Sequence, residues 1–411
     1  MSREPVRGAT SLLGKRLMVL GAGPSQLPGI LKARAAGCRV VTVDPYVDSV
    51  GHAHSDERVE CDTRDRVGVL AAASRLRIDG VCAFRSDVAV ETMHHVRAAL
   101  GLPGGHPEAA SVMCHKGRFR RWQSDAGLPH PRFAWGESPA LLAAGAARLA
   151  PPVWCKPVDN SGSRGITRID VFSHGALASA IDDARHSSPT GGVCVEERAR
   201  GVEVGGDAIL VDGRLAFLAV TLKHLAGQAV TGHLLPALPS ADHERVGTAI
   251  AGACAALGYR DGPLNFDAMV ATDAVVLLEI SPRNGGNGIT DLVRHACGVD
   301  LESVAIHLAL GRPAPLAPEG RAFVRAGTGL RVLGSPTGGR IMRLPDASHW
   351  AGTDLRILEV VYMKRIGDRV GPFVHNGHAV GHVVFRCDDA QDYGRQAGAI
   401  DEFCAQLFAA G

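Results

Sequence analysis

At 411 residues the chain is long enough for two to three domains of roughly 150 residues each, which excludes a peptide hormone or a small stapled scaffold. Its 46% hydrophobic, 21% charged and 5% aromatic residues suit an ordinary globular protein and not a disordered or fibrous one. A formal charge of +2 gives no electrostatic footprint for nucleic acid or an anionic membrane surface, so small-molecule chemistry is the expectation.

Residues 15–23 read K-R-L-M-V-L-G-A-G, a short apolar run ending in glycines, and helical periodicity follows over 26–36. Residues 38–44, C-R-V-V-T-V-D, supply a second apolar strand. Strand, helix, strand in that order predicts a parallel sheet. A helix over 65–76, a strand over 80–84 and a helix over 88–100 continue the pattern until Gly101-Leu102-Pro103-Gly104-Gly105 breaks it, closing an N-terminal domain near residue 112. Helical character runs over 111–126, and 129–135 leads into a loop. Short β-rich pieces follow at 153–157, 165–171 and 193–197, with a helix over 175–184 between the last two. A long hairpin-like stretch occupies 208–222, a helix 243–257, and strands 264–270 and 274–280 form a hairpin around Thr272-Asp273. After a helix over 301–310, the proline-rich run 311–318 marks a boundary, and 316–411 alternates strands before a final helix over 389–408.

The ten cysteines are scattered singly with no C-x-x-C, several inside apolar runs, which reads as reduced thiols in a cytoplasmic protein. Residues 1–16 lack an apolar signal core, and no run reaches the length of a membrane span.

Gly21-Ala22-Gly23 after a strand, with Asp44 ending the next, imitates a dinucleotide fingerprint, but its third glycine falls on Gln26. A Walker A loop is absent, so any ATP site must be built differently. Lysine occupies only six of 44 basic positions: 15, 32, 116, 156, 223 and 364. Where arginine serves as generic surface charge, a lysine in an apolar setting such as Trp154-Cys155-Lys156-Pro157 suits point-charge contact with phosphate. Lys156 precedes a loop containing Ser161-Gly162-Ser163-Arg164-Gly165, whose glycines allow backbone N–H groups to approach anionic oxygens. On the second hairpin Asp267 and Glu279 fall where they can pair across the strands. Facing carboxylates need a counter-charge, which a divalent cation that also bridges phosphates would supply; in the alternative, Asp267 faces solvent and Glu279 pairs with Arg283. Arg283 and the turn Asn284-Gly285-Gly286-Asn287 add a fork donor and a backbone anion nest. The pairs His52/His54, His94/His95 and His224/His233 have no second ligand cluster at a known metal spacing, and His233, expected in a loop, lies near substrate in this reading.

Taken in order, Lys116, the Lys156 loop, Glu196-Glu197 with Glu203, and Asp267 with Glu279-Ile-Ser281-Pro-Arg283 resemble the ATP-grasp superfamily, of the carboxylate-amine ligase type. The resemblance implies a three-domain α/β architecture: an N-terminal parallel α/β domain over 1–112, an ATP-grasp domain over 113–312 with a β-rich lid at about 152–205, and a C-terminal α+β domain over 313–411. It also implies ATP with magnesium, two ions with manganese as a substitute, and small-molecule carboxylate and amine substrates. No nucleic acid or membrane partner is implied, and a homodimer through the first domain is compatible with it. By the resemblance, Lys116, Lys156 and, on a looser match, Lys223 contact phosphates, and Ser161, Gly162, Ser163 and Gly165 cover the terminal phosphate. Glu196 and Glu197 mark the adenine hinge and Glu203 reaches the ribose. Asp267, Glu279 and Ser281 are the metal positions, although the family commonly has Asn where Ser281 stands. Arg283 and Lys156 act in catalysis, and Arg283 with Asn284, Gly285, Gly286, Asn287 and His233 meets substrate. Gly205 and Gly206 depart from the family, which usually has bulkier strand residues there.

The implied reaction joins a carboxylate to an amine through an acyl phosphate, releasing ADP and phosphate. Three other readings stay open: a carboxylase of the same superfamily, a nicotinamide oxidoreductase, and a non-catalytic nucleotide sensor.

Overall fold

In a computed structural model of the chain, residues 12–316, 327–350 and 354–408 are described. The expectations for residues 1–11 and for the end of the 311–318 run therefore lie outside the described residues.

The first sheet is parallel, as strand–helix alternation requires. It comprises β1 (Arg16–Leu20), α1 (Leu27–Ala35), β2 (Arg39–Val43), β3 (Glu57–Val59), α2 (Arg66–Leu76), β4 (Gly80–Cys82) and α3 (Val90–Ala99), with strand order β3-β2-β1-β4. The helix expected over 111–126 is two helices, α4 (Pro107–Met113) and α5 (Lys116–Asp125). The break falls at Cys114-His115 because the His115 ring caps α5, accepting from the Arg118 N–H at 3.1 Å, while the Lys116 N–H is drawn to the Val158 carbonyl at 2.8 Å.

A second, antiparallel sheet has strand order β5-β8-β6-β7, from β5 (Phe133–Gly136), β6 (Val153–Pro157), β7 (Thr167–Ile169) and β8 (Val193–Glu197), with α6 (Pro139–Ala146) and α7 (His174–Ser187) packed on it. The segment expected to lead into a loop at 129–135 thus contains β5, paired with β8.

The largest sheet holds eight strands. Its elements are β9 (Val202–Val211), β10 (Arg214–Ala226), β11 (Ala229–Leu235), α8 (Ser240–Leu257), β12 (Gly262–Val270), β13 (Val275–Ser281), α9 (Ile289–Cys297), α10 (Leu301–Ala309), β14 (Thr328–Leu333), β15 (Gly339–Arg340), β16 (Ile357–Tyr362), β17 (Arg369–Val370), β18 (Gly381–Arg386) and α11 (Ala390–Ala405). The strand order is β13-β12-β9-β10-β11-β14-β18-β16, while β15 and β17 pair separately. The sheet therefore continues from β11 into β14 across residue 312.

Period-two alternation sets what each face carries. Val204, Ala208 and Leu210 of β9, with Leu264, Phe266 and Ala268 of β12, bury against α8. Ile209 and Phe217 point the other way into a cluster with α9 and α10. Asp267 is odd-numbered on β12 and so shares the second face. Helix α10 also seals the first sheet, its Ala305, Ile306 and Ala309 meeting Leu17 and Val19 of β1, which brings the end of β4 beside the large sheet. All ten cysteines are free and eight are buried. No described helix is long and apolar enough to cross a membrane.

Candidate active site

A cavity of about 400 Å³ is lined by residues of the antiparallel four-stranded sheet, the large sheet and the loop after β4. On its floor Asp267 and Glu279 are direct cross-strand partners, beside a bulge between Asp267 and Ala268. Each has its own cation: Lys223 Nζ lies 3.0 Å from Asp267 Oδ1, and Lys116 Nζ lies 3.5 Å from Glu279 Oε1. Lys223 also meets Glu203 Oε1 at 2.9 Å. Burial would lower the Lys223 pKa, but Asp267 and Glu203 hold it above the usual lysine range, so it stays charged.

Glu279 does not pair with Arg283. The Arg283 guanidinium instead grips Asp87, Nε to Oδ1 at 2.7 Å and Nη2 to Oδ2 at 2.6 Å, a fork-to-carboxylate match. Burial pushes the Asp87 carboxyl up, yet Arg283, the Ser281 hydroxyl and Lys116 outweigh it and keep it below the usual range.

Gly205 is what lets Lys223 reach Asp267. Strand β9 separates β10 from β12, and Gly205 is the register partner of both Asp267 and Thr221. A Cβ on Gly205 would stand 2.6 Å from Asp267 Oδ1 and 3.1 Å from Lys223 Cδ, so any side chain would block the lysine stem. At Gly206 a Cβ would sit 1.9 Å from the Ala219 carbonyl oxygen. The two glycines that depart from the superfamily pattern are therefore required here by close approach.

Lys156 on β6 and Glu196 on β8 form an ion pair, and Arg120 Nε of α5 holds the other Glu196 oxygen at 2.8 Å. Burial raises the Glu196 carboxyl, but the Arg120 and Lys156 charges prevail and hold it down at about 2. Glu197 lines the cavity while accepting from Arg132 Nη1 at 3.0 Å and from the Ala150 N–H at 2.7 Å. In the loop after β6, Ser161, Gly162 and Ser163 line the cavity. Ser163 donates to the Gln228 carbonyl at 2.7 Å, Trp154 Nε1 to Gln228 Oε1 at 3.0 Å, and the Asn376 N–H to the Gly162 carbonyl at 3.2 Å. The loop is thus seated on the β10–β11 turn and on the segment before β18.

Four expected site residues do not line the cavity. Ser281 is 3% exposed with its hydroxyl bonded to Asp87, so it is not placed as a metal ligand. Asn284 donates to the Leu301 carbonyl at 3.3 Å, anchoring the turn to α10. The Gly285 N–H is consumed by both Asp207 oxygens, at 3.0 and 2.9 Å, leaving Gly286 and Asn287 as the cavity-facing part of the turn. Gly165, at φ +70°, turns the loop against α7, where a Cβ would meet Ser187 at 2.4 Å. His233 does line the cavity, but on strand β11 and not in a loop. It bonds Thr221 at 2.8 Å, and burial with the Lys223 charge lowers its pKa to about 3, so it is neutral at physiological pH.

Asp207 itself is pushed up to about 6, chiefly by burial, with the Gly285 and Asn265 hydrogen bonds opposing. Because the folded value is raised, the stability linked to this group is complete below about pH 4 and lost as pH rises through about 6. We expect the thermal midpoint of the wild type, relative to Asp207→Asn, to fall between about pH 4 and pH 6 and to level off above that. A flat difference over that window would contradict this assignment.

The Gly21–Gly23 corner is filled by the protein's own groups. The Gln26 side chain lies against both glycines and donates to the Phe84 carbonyl at 2.8 Å, and Asp44 accepts from the Ala22 N–H at 2.8 Å. A nicotinamide dinucleotide has no support there.

Magnesium is commonly bound through one or two carboxylates together with substrate phosphates, and Asp267 and Glu279, side chains 35% and 32% exposed at the cavity, match that donor set. Among the described residues no group of three or more His, Cys, Asp or Glu is placed to hold a metal ion alone, so the pair suits a cation that arrives with a nucleotide.

Sequence reasoning missed Asp87, Arg85, Arg120, Asp207 and Asn265. Asp87 was findable as an acid just past a parallel strand's carboxyl end, where ligands of open α/β sheets collect. Asn265 lies two residues from Asp267 and so on the same face. Arg120 gave no signal, standing in the arginine-rich run Arg118–Arg121.

No family model matches the chain. It is 27% identical over 291 residues to the uncharacterized protein y4rH of Sinorhizobium fredii (strain NBRC 101917 / NGR234), covering 68% of this chain and 59% of that protein. It is 27% identical over 364 residues to carnosine synthase 1 of Gallus gallus, covering 79% of this chain and 38% of that protein. The chain thus spans less than two thirds of the length of these relatives. Among solved structures, the L-amino acid ligase from Bacillus licheniformis superposes with a TM-score of 0.80 at 19% identity, over 95% of this chain and 98% of that one.

Proposed function

We propose that this chain, whose fold is similar to that of an L-amino acid ligase, is an ATP-dependent carboxylate-amine ligase of the ATP-grasp type acting on small molecules. The observation that carries the reading is the facing pair Asp267 and Glu279 in a cavity walled by Lys116, Lys156, Lys223 and Arg283. These four cations lie within reach of one another and of the partly exposed acid pair, although Lys156, Lys223 and Arg283 also have acidic partners of their own, and such a set suits a polyanionic nucleotide with its metal better than a neutral ligand.

In this reading Lys116, Lys156 and Lys223 hold the phosphates, and the Ser161–Ser163 loop closes over the terminal one. Asp267 and Glu279 would hold a magnesium ion arriving with the nucleotide, and the chemistry it would supply is neutralisation of phosphate charge. A carboxylate oxygen of the acid attacks the terminal phosphorus, the bond to the bridging oxygen breaks, and ADP leaves with that electron pair. The amine nitrogen then attacks the acyl carbon, the carbon–oxygen bond to phosphate breaks, and the nitrogen loses a proton. Arg283, fixed in orientation by Asp87, offers its charge to the developing negative oxygens. Catalysis of this kind is mainly positioning and electrostatic stabilisation. The seated loop excludes water that would hydrolyse the acyl phosphate.

The test is ADP and phosphate release from ATP and magnesium against amino acids singly and in pairs, with bicarbonate controls and mass spectrometry of products. The expected result is release that requires one acid and one amine, with a condensed product. Release driven by bicarbonate alone assigns a carboxylase, and ATP binding with no release under any pairing assigns a sensor.

A further inference from the structure

Beside the main cavity lies a second chamber of about 240 Å³, reached past Arg85, Gly286, Asn287 and Asn376, which line both spaces. Its character follows from lysine usage. Five of the chain's six lysines are ion-paired: Lys15 with Asp79, Lys32 with Asp300 and Glu302, Lys116 with Glu279, Lys156 with Glu196, and Lys223 with Glu203 and Asp267. Lys364 has no ion-pair partner among the described residues, and it lines the second chamber and not the first. The preceding residue is tied down, Met363 N–H to the Val380 carbonyl at 2.8 Å, so the ammonium projects from a fixed strand end.

Two further polar groups at the junction lack partners. Arg85 has a side chain only 5% exposed and a left-handed backbone at φ +55°. Its Nη2 is held by Glu302, Thr290 and Asp291, yet its buried Nε has no hydrogen-bond partner. Asn376 Oδ1 is likewise buried without a partner. Both atoms lie behind the chamber wall and not on it, so the polar surface the chamber offers comes from the Lys364 ammonium and the outward parts of Arg85, Asn287 and Asn376. Among the described residues no acidic side chain lines this chamber.

We propose that the second chamber binds the non-nucleotide substrate, and that Lys364 selects one carrying an anionic group, a carboxylate or a phosphomonoester, at the end away from the reacting centre. This rests on the ligase reading. In it the reacting end lies by Arg283 and the acid pair, the middle passes between the Arg85, Asn287 and Asn376 side chains that line both spaces, and the distal anion pairs with Lys364. A substrate without that anion leaves the ammonium unpaired and loses binding.

The test titrates the full chain, saturated with MgADP, by calorimetry with glutarate, 3-phosphoglycerate and butyrate. At least one of the first two should bind about tenfold or more tightly than butyrate, the gain of a charge-assisted contact. Which of them binds better names the anion as carboxylate or phosphomonoester. Lys364→Met should abolish the preference and Lys364→Arg keep most of it, with MgADP affinity unchanged in both as the check on folding. Equal binding of butyrate, no binding of any probe, or a preference that survives Lys364→Met overturns the proposal alone. Failure of the wild type to bind MgADP overturns the ligase reading and this inference with it.

Discussion

Glu279→Gln is expected to lower nucleotide turnover by roughly a thousandfold while leaving the fold intact, the scale seen when one preorganised charge is removed from a phosphoryl- or acyl-transfer site. The amide keeps the shape of the side chain but removes the charge that faces Asp267 across β12 and β13. Glu279 is about one third exposed and its one ion pair, with Lys116, is long at 3.5 Å, so its loss should scarcely move the thermal midpoint. The measurement is ADP release at saturating ATP across a magnesium titration, with thermal unfolding in parallel. Loss of turnover with an unchanged midpoint supports the reading. ADP formation at the wild-type rate would remove Glu279 from the site and, with it, the metal role of the pair.

Glu196→Gln should do the opposite, acting first on stability. Its carboxylate is 3% exposed between Lys156 and Arg120, and Arg120 is itself 1% exposed. Removing one member of a buried charge pair leaves the other uncompensated, at a cost of about 3–5 kcal/mol. Arg120 would retain Gln123 Oε1 at 2.9 Å and the Leu278 carbonyl at 2.8 Å, but these satisfy its hydrogens and not its charge. The sign of the pH dependence follows from the depressed Glu196 pKa. Its stabilisation is present above the ordinary glutamate range and lost as pH falls toward about 2. The gap in thermal midpoint between wild type and variant should therefore be widest above about pH 5 and shrink in acid. A variant as stable as the wild type at neutral pH would show that the Arg120 charge is neutralised by something else.

The two substitutions differ because the same residue type serves two environments. Glu279 opens on a cavity where its charge is available to a ligand, whereas the Glu196 charge is already spent inside the protein. Nothing local distinguishes Val-Glu196-Glu from Leu-Glu279-Ile. The difference lies in Arg120, which approaches Glu196 from 76 positions away.

Short-range regularities determined much of this protein. The strand–helix alternation of the first hundred residues can only make a parallel sheet, because a crossover helix returns each strand in the same direction. The hairpin at Thr272-Asp273 brought Asp267 to within one residue of Glu279, since the turn sets a register, Ala268 with Leu277, that continued would face Asp267 with Leu278; the bulge between Asp267 and Ala268, which the sequence did not show, makes the two acids direct partners. The scarcity of lysine together with its apolar setting marked Lys156, whereas Lys116 and Lys223 were named by the resemblance alone. Strand β11 and helix α9 were not legible, since β11 pairs only with distant β14 and with β10 across a bulge, and α9 hides behind a glycine-rich turn. What only the tertiary structure decided is which charges are free. Ion pairing depends on atoms a few ångströms apart in space whatever their separation along the chain, so the Arg283–Asp87 fork over 196 positions, the Arg120–Glu196 pair over 76 and the placement of Lys364 at the second chamber had no local signature.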